Sequence, residues 1–129
     1  MRHILYISTA SNVSEQDVER ITATSRRNNL QADITGFLLF NGRNFLQMIE
    51  GEQAALLSLM NRLALDPRHS GIVKIVDRPG EARLFPDWAM NWLEPKQGRS
   101  QWREELDGIL PPRLDPEIRR ACLNFAQLG

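Results

Sequence analysis

The 129-residue chain has one cysteine, two histidines and no net charge. With Cys122 as its only cysteine, it has neither an internal disulfide nor a cluster of thiolate metal ligands. Its 16 basic and 16 acidic residues cancel, so the basic surface typical of nucleic-acid binders is missing. His3 and His69 are too few, and too far apart in sequence, to indicate a metal centre. We therefore expect no bound metal and no direct nucleic-acid partner.

Long hydrophobic runs are also missing from the sequence. No apolar stretch approaches the roughly 18 residues that a membrane-spanning helix needs. Residues 1–5 do not begin a hydrophobic region long enough for a signal peptide. We expect a cytoplasmic protein without membrane contact.

The common catalytic signatures are absent as well. The sequence has no G-x-S-x-G, no H-E-x-x-H and no glycine-rich phosphate loop. The sequence therefore offers no convincing hydrolytic site.

A primary amide lies within an apolar stretch of the chain, at Gln47. If the stretch is a strand, Phe45, Gln47 and Ile49 share one face, and Leu46 and Met48 share the other. A strand that is apolar on both faces is typical of a sheet centre. Each unmet polar group of a buried amide costs about 1–3 kcal/mol. Gln47 must therefore bond either to other protein groups or to a ligand.

A helix is predicted to begin at Ser14, where Asp17 completes a pattern close to a capping box, and to end near Asn29. Its inward face begins apolar and ends polar; the residues at helical spacing are Val18, Ile21, Ser25, Asn28 and Asn29. Two interpretations of Asn28 and Asn29 stay open. They either end the helix, where Asn is favoured, or contact a polar-edged ligand.

The remaining elements complete a recognisable order. Strands are predicted at 4–8, 34–41, 44–51, 72–76 and 85–92, with a second helix at 52–66 and an Asn41-Gly42 turn between the second and third strands. The order β-α-β-β-α-β-β predicts an α+β, ferredoxin-like mixed sheet with both long helices on one face. Trp88, Met90 and Trp92 alternate along the half-buried fifth strand, and we expect Trp88 and Met90 to face the long helices together with Tyr6 and Gln47.

Apolar residues on the other face of this sheet need a cover. We place Leu38, Phe40, Leu46 and Met48 there, and expect either the C-terminal helices or a partner subunit to cover them. The predicted helices are a short one at 100–108 and a last one from Asp115-Pro116. The last helix has an apolar stripe of Ile118, Cys122, Phe125 and Leu128.

Six motifs in this order resemble the BLUF family of blue-light sensors using flavin. They are Tyr6 in the first strand, Asn28-Asn29, Ile34-Thr35-Gly36, the run from Phe45 to Gly51, Asp66-Pro67-Arg68-His69, and Phe85-Pro86-Asp87-Trp88-Ala89-Met90. The resemblance spans roughly residues 2–94. It implies a flavin-binding photosensor domain at 1–95 and, at 96–129, the short C-terminal helical cap of single-domain members.

The resemblance implies a role for each matching position. Tyr6 would donate an electron and a proton to photoexcited flavin, and Gln47 would bridge the Tyr6 hydroxyl and the flavin. Asn29 would bind the flavin's carbonyl edge. The other implied flavin contacts are Ile21, Ser25, Asn28, Arg62, Leu63, Arg68 and His69, with Ile21 and Leu63 sandwiching the ring and the two arginines and His69 on the phosphate side. Trp88 and Met90 would relay the signal.

The resemblance also implies the cofactor and the partners. FAD is the family's usual occupant, and the sequence does not discriminate it from FMN or riboflavin. We expect signalling to an unidentified downstream protein, and a homo-oligomer. Two alternatives stay open: a small ferredoxin-like acyl-phosphate hydrolase, and an interaction module whose core amides are satisfied internally.

Overall fold

Five strands and four α-helices follow one another in the computed structural model, which describes residues 1–128 apart from the side chain of Leu128. The strands are β1 (Arg2–Ala10), β2 (Thr35–Phe40), β3 (Asn44–Gly51), β4 (His69–Pro79) and β5 (Asn91–Trp92). The helices are α1 (Glu15–Ala32), α2 (Gln53–Ala64), α3 (Trp102–Ile109) and α4 (Pro116–Leu128), with a 3-10 turn at Arg99–Gln101. The Leu128 side chain predicted for the last stripe lies outside the described part.

The sheet has the order β4-β1-β3-β2-β5. β3 pairs antiparallel with both β1 and β2, so β1 and β2 run in the same direction with β3 between them. β5 is parallel to β2, which makes the sheet mixed. This is the predicted ferredoxin-like α+β fold. It places the strand of Gln47 at the centre of the sheet.

The two faces of the sheet carry separate cores. Phe45 and Ile49 pack towards α1 and α2, whereas Leu46 and Met48 pack towards α3 and α4, which confirms the predicted alternation along β3. The prediction that Leu38 and Phe40 share the face of Leu46 and Met48 is wrong. The β2–β3 register pairs them with Gln47 and Phe45, and cross-strand partners share a face, so both lie on the α1/α2 side.

Local signals at the start of α1 act as predicted. Ser14 is the N-cap, and it forms the reciprocal capping box with Asp17. The predicted end is wrong, because the helix continues to Ala32 and the left-handed residue after it is Asp33, with φ of 56°. Asn28 and Asn29 are therefore inside the helix. Only Asn29 is buried, whereas Asn28 is exposed.

The predicted fifth strand is only two residues long, Asn91–Trp92. Between Phe85 and Met90 the chain is irregular, because the carbonyl oxygens there bond outside any strand ladder. The backbone N–H of Gly36 donates to the Trp88 carbonyl at 2.6 Å. On the other side of β2, a Cβ on Gly36 would clash with the Met48 carbonyl oxygen, so only glycine allows β2 and β3 to approach this closely here.

Trp88 and Met90 consequently lie on opposite sides of the sheet. Met90 belongs to the core under α1 and α2. Trp88 instead packs with the α3/α4 core, stacked on Phe85 with ring centroids 5.3 Å apart and edge-on to Phe37 at 6.1 Å. The prediction that both side chains face the long helices is wrong for Trp88, because a strand's alternation does not apply to an irregular segment.

The C-terminal helices cover the second face. Their buried side chains include Trp102, Leu106, Ile118, Cys122 and Phe125, all packed in one core with Leu46 and Met48. The Trp102 indole also donates to the Leu93 carbonyl at 3.2 Å. The cap, rather than a partner subunit, is therefore what covers this face.

Candidate functional site

A chain of three buried side chains crosses the core beneath α1 and α2. The β1–β3 register places Tyr6 directly opposite Gln47. The Tyr6 hydroxyl donates to Gln47 Oε1, and Gln47 Nε2 donates to the Met90 Sδ at 3.3 Å. All three residues are at most 6% exposed. Burial raises the pKa of the Tyr6 hydroxyl far above its ordinary value, so the phenol holds its proton in the resting protein.

The Gln47 amide is well suited to meet a ligand with hydrogen-bond acceptors. A thioether is a weak acceptor, so the bond to Met90 is a poor partner for a buried N–H. The second N–H of the amide is left for another acceptor. The carbonyl and amino ends of the side chain can exchange places without moving the backbone.

Two side chains of α1 hold the carbonyl groups next to this chain. Asn29 Nδ2 donates to the Ala89 carbonyl at 2.9 Å, and Arg26 Nε donates to the Met90 carbonyl at 3.1 Å. The helix is thus tied to the segment that delivers Met90. The sequence predicts a ligand contact for Asn29 and does not indicate Arg26, which looks like an ordinary exposed helix cation.

An open cleft with an empty volume of about 520 Å³ lies between α1 and α2. Seven predicted flavin contacts line it: Ile21, Ser25, Asn28, Arg62, Leu63, Arg68 and His69. Thr24, Leu59 and Asp66 complete the lining. The wall combines aliphatic side chains with amide, guanidinium and imidazole groups, which fits a ligand with a flat apolar body and a polar, anionic tail.

The charged end of the cleft is organised around Asp66. Arg68 Nη2 lies 2.7 Å from Asp66 Oδ2, and this hydrogen bond holds the pKa of the Asp66 carboxyl below its usual range. Burial lowers the pKa of the neighbouring His69, a shift that the charge of Asp66 partly offsets. The cleft therefore presents a neutral imidazole beside a paired guanidinium.

Tyr6, Gln47 and Asn29 are not part of the cleft wall. His69 connects the cleft with them, because Nδ1 of its ring lies 2.9 Å from the Ser8 hydroxyl and its ring centroid lies 4.7 Å from that of Phe45. Ser8 and Phe45 are each two residues from Tyr6 and Gln47 along their strands, so they share the same face. His69 is thus the cleft residue that contacts the sheet face carrying Tyr6 and Gln47.

Comparison with known proteins identifies the family of the chain. The sequence profile of the BLUF family, described as sensors of blue-light using FAD, matches residues 1–91. The blue light- and temperature-regulated antirepressor BluF of Escherichia coli is 37% identical over 108 residues, 84% of this chain and 25% of the antirepressor. The photoactivated adenylate cyclase subunit beta of Euglena longa is 35% identical over 87% of this chain and 12% of that protein.

Solved structures give the same result. The BLUF protein BlrB, in its dark state, has a TM-score of 0.75 and 31% identity, covering 98% of this chain and 93% of BlrB. BlrP1 of Klebsiella pneumoniae, solved with FMN and cyclic diGMP, has a TM-score of 0.83 and 26% identity over 98% of this chain and 34% of BlrP1. The chain belongs to the BLUF family, whose members are described as sensors of blue-light using FAD.

The similarity is to one part of the larger relatives. The chain spans a quarter of the Escherichia coli antirepressor and about an eighth of the Euglena cyclase subunit, so their other activities lie in additional sequence. Across the part of this chain that the structure describes, no helix is both long and apolar enough to span a membrane.

Proposed function

We propose that this chain binds FAD in the α1/α2 cleft and senses blue light through Tyr6 and Gln47. The observation that carries the proposal is the buried hydrogen-bonded chain from Tyr6 through Gln47 to Met90. It lies next to a cleft with an apolar wall and cationic side chains at its rim. FMN and riboflavin share the ring of FAD, so the choice of FAD depends on the cationic rim and on the family's usual cofactor.

The bound flavin supplies light absorption and a reversible one-electron acceptor. Tyr6 would give up its proton together with an electron, because burial disfavours a tyrosinate. Gln47 Oε1 would take up that proton and Nε2 would release one, so that the amide stays neutral. Once Tyr6 has regained an electron and a proton, the amide would be left rotated or tautomerised. Nothing is consumed, so the cycle is a switch and not a turnover.

Met90 reports the state of the amide. In the structure Gln47 presents its amino group to the Met90 Sδ. A rotated amide presents its carbonyl oxygen instead, which cannot donate to sulfur. Met90 is then released from Gln47, and the segment that carries it shifts against α1. This gives the two-state element that a light signal needs.

The output passes to another protein. The E. coli relative is an antirepressor and the Euglena relatives are cyclase subunits, so related domains act on different effectors. We propose that this chain has no enzymatic activity and changes its contact with a cytoplasmic protein partner, or with its own copies as a homo-oligomer. The acyl-phosphate hydrolase and the ligand-free interaction module lose support, because both leave the family membership unexplained.

Replacement of Gln47 by Leu tests the switch. We expect Gln47→Leu to retain flavin and to lose the reversible red shift of the flavin absorption band after blue light, because leucine offers no hydrogen bond. Gln16→Leu is the matched control, since Gln16 is exposed on α1, and it should keep the shift. Absorption spectra in the dark and after illumination make the measurement.

A Gln47→Leu protein with the wild-type red shift would remove Gln47 from the mechanism. The same samples identify the cofactor. Reconstitution with equimolar FAD, FMN and riboflavin, followed by chromatography of the released flavin, should return mainly FAD. Equal recovery of all three would contradict a role for the cationic rim.

A further inference from the structure

Glu50 is a buried carboxylate near the end of β3, and its side chain is 0% exposed. It accepts three hydrogen bonds. Oε1 accepts from the Phe85 backbone N–H at 2.7 Å and from the Thr35 hydroxyl at 2.9 Å, and Oε2 accepts from the Leu84 N–H at 2.8 Å. A carboxylate in such a position is held by its donors. In turn it fixes the backbone that supplies them.

Two further side chains hold the same backbone. His3 Nε2 lies 2.9 Å from the Ala82 carbonyl and 3.4 Å from Glu50 Oε2. Arg83 donates through Nη1 to the Thr35 hydroxyl at 2.8 Å and through Nη2 to the Asp33 carbonyl at 2.6 Å. The segment formed by residues 82–90 is thus fastened at its beginning to β1, to β3 and to the start of β2.

The end of the 82–90 segment is fastened on the other side of the sheet. There Asn29 and Arg26 bind the carbonyls of Ala89 and Met90, and Gln47 binds the Met90 sulfur. Glu50 and Gln47 are three residues apart on one strand and point to opposite faces. The strand of the light switch therefore holds both ends of the segment, one on each face.

We propose that Glu50 is a positioning residue of the light cycle, fixing the start of the 82–90 segment so that the Met90 sulfur stays within reach of the Gln47 amide. The inference rests on the proposed function, because it concerns how the rotated amide is communicated. Glu50 contacts neither the amide nor the cleft. It acts through the backbone of Leu84 and Phe85.

Glu50→Gln keeps the size of the side chain and changes its bonding. A carboxylate offers acceptors on both oxygens, whereas an amide offers one oxygen and an NH₂ group. One of the two backbone N–H groups of residues 84 and 85 must then face another donor. We expect the start of the segment to loosen and Met90 to leave its position. Glu52→Gln is the matched control, because Glu52 is exposed and makes no capping bond.

Nuclear magnetic resonance of the flavin-free protein gives a readout independent of light. In Glu50→Gln we expect amide hydrogen exchange at Leu84 and Phe85 to accelerate about 10-fold or more. The ¹³C-methyl resonance of Met90 should move, while that of Met60 on α2 stays in place. In the flavin-bound protein the dark recovery of the red-shifted state should change about threefold or more in the same variant.

A folded Glu50→Gln protein with the amide exchange, Met90 methyl resonance and recovery rate of Glu52→Gln would overturn the inference. If Glu50→Gln does not fold, Thr35→Val replaces it, because it removes the hydroxyl that donates to Glu50 Oε1 and accepts from Arg83 Nη1, and leaves the Glu50 carboxylate in place. It should change the three readouts in the same direction, and no change would again overturn the inference. A wild-type protein without a red shift would instead overturn the proposed function, while the exchange and methyl readouts still decide the role of Glu50.

Discussion

Burying Gln47 costs free energy unless its amide groups have hydrogen-bond partners. Its oxygen has a strong partner in the Tyr6 hydroxyl, but its nitrogen has only a thioether. A structural glutamine would gain more from backbone carbonyls, which are better acceptors. The weak bond to Met90 lowers the cost of leaving the observed rotamer. A weak second bond of this kind fits the proposed amide that changes partners.

His69 links the cleft to the sheet, and its titration predicts how the stability of the protein depends on pH. Burial lowers the pKa of His69 from its ordinary 6.5, so the folded protein prefers the neutral ring. Between 6.5 and the lowered pKa, the unfolded chain binds more protons than the folded one. The stability contribution of the neutral ring is therefore complete above pH 6.5 and is lost as the pH falls through this window.

We expect His69→Gln to remove this part of the pH dependence. Urea unfolding of the flavin-free protein at about pH 7.5 and about pH 5.5 measures it. The wild type should lose more free energy of unfolding on acidification than the variant does. Equal losses in both proteins would show that His69 is protonated equally readily when folded and unfolded.

Among the elements, those defined by local chemistry could be predicted and those defined by distant contacts could not. Ser14 and Asp17 begin α1 by bonding to one another, and the alternation along β3 follows from its own residues. The prediction of a fifth strand at 85–92 was wrong in its length. The carbonyls of residues 88–90 accept hydrogen bonds from Gly36, Asn29 and Arg26, which are all far away in sequence. Alternating large side chains do not reveal such partners.

The same distinction applies to the site. Tyr6 and Gln47 could be named as candidate site residues from the sequence, but the contact between them depends on the β1–β3 register. Asn28 and Asn29 were both predicted on the inward face of α1, but only Asn29 is buried, and the helix continues beyond it. Glu50 carried a usable signal, since an acidic residue in an otherwise apolar strand needs buried donors. Its partners, two backbone N–H groups of an irregular segment, have no sequence signature.

Helix α4 offers an internal probe of how firmly the cap is docked. Burial raises the pKa of the Cys122 thiol to about 12, and the side chain is fully buried. A thiol-reactive dye should therefore label the native protein only when α4 detaches. If detachment costs about 3 kcal/mol, labelling near neutral pH is at least about 100-fold slower than in urea.

Blue light should accelerate this labelling in the flavin-bound protein, because the 82–90 segment packs Trp88 and Phe85 against the core that contains Cys122. The Gln47→Leu protein is the control and should label at one rate in light and dark. Labelling of the wild type that is insensitive to light would mean that the signal does not reach α4.

For the molecule as a whole, the arrangement joins two cores through one segment. The cleft and the Tyr6–Gln47 pair lie on one face of the sheet, and the cap lies on the other. The 82–90 segment contributes Met90 to the first core and Trp88 to the second. A change at the amide can therefore reach the cap without passing through the sheet, by way of a short stretch of backbone.

Infrared spectroscopy tests directly whether light rearranges the Gln47 amide. A light-minus-dark spectrum of the flavin-bound protein, made with ¹⁵N-labelled glutamine side chains, should contain amide bands that shift with the label. Those bands should disappear in Gln47→Leu and persist in Gln16→Leu. A reversible red shift of the flavin without any label-sensitive glutamine band would contradict the account.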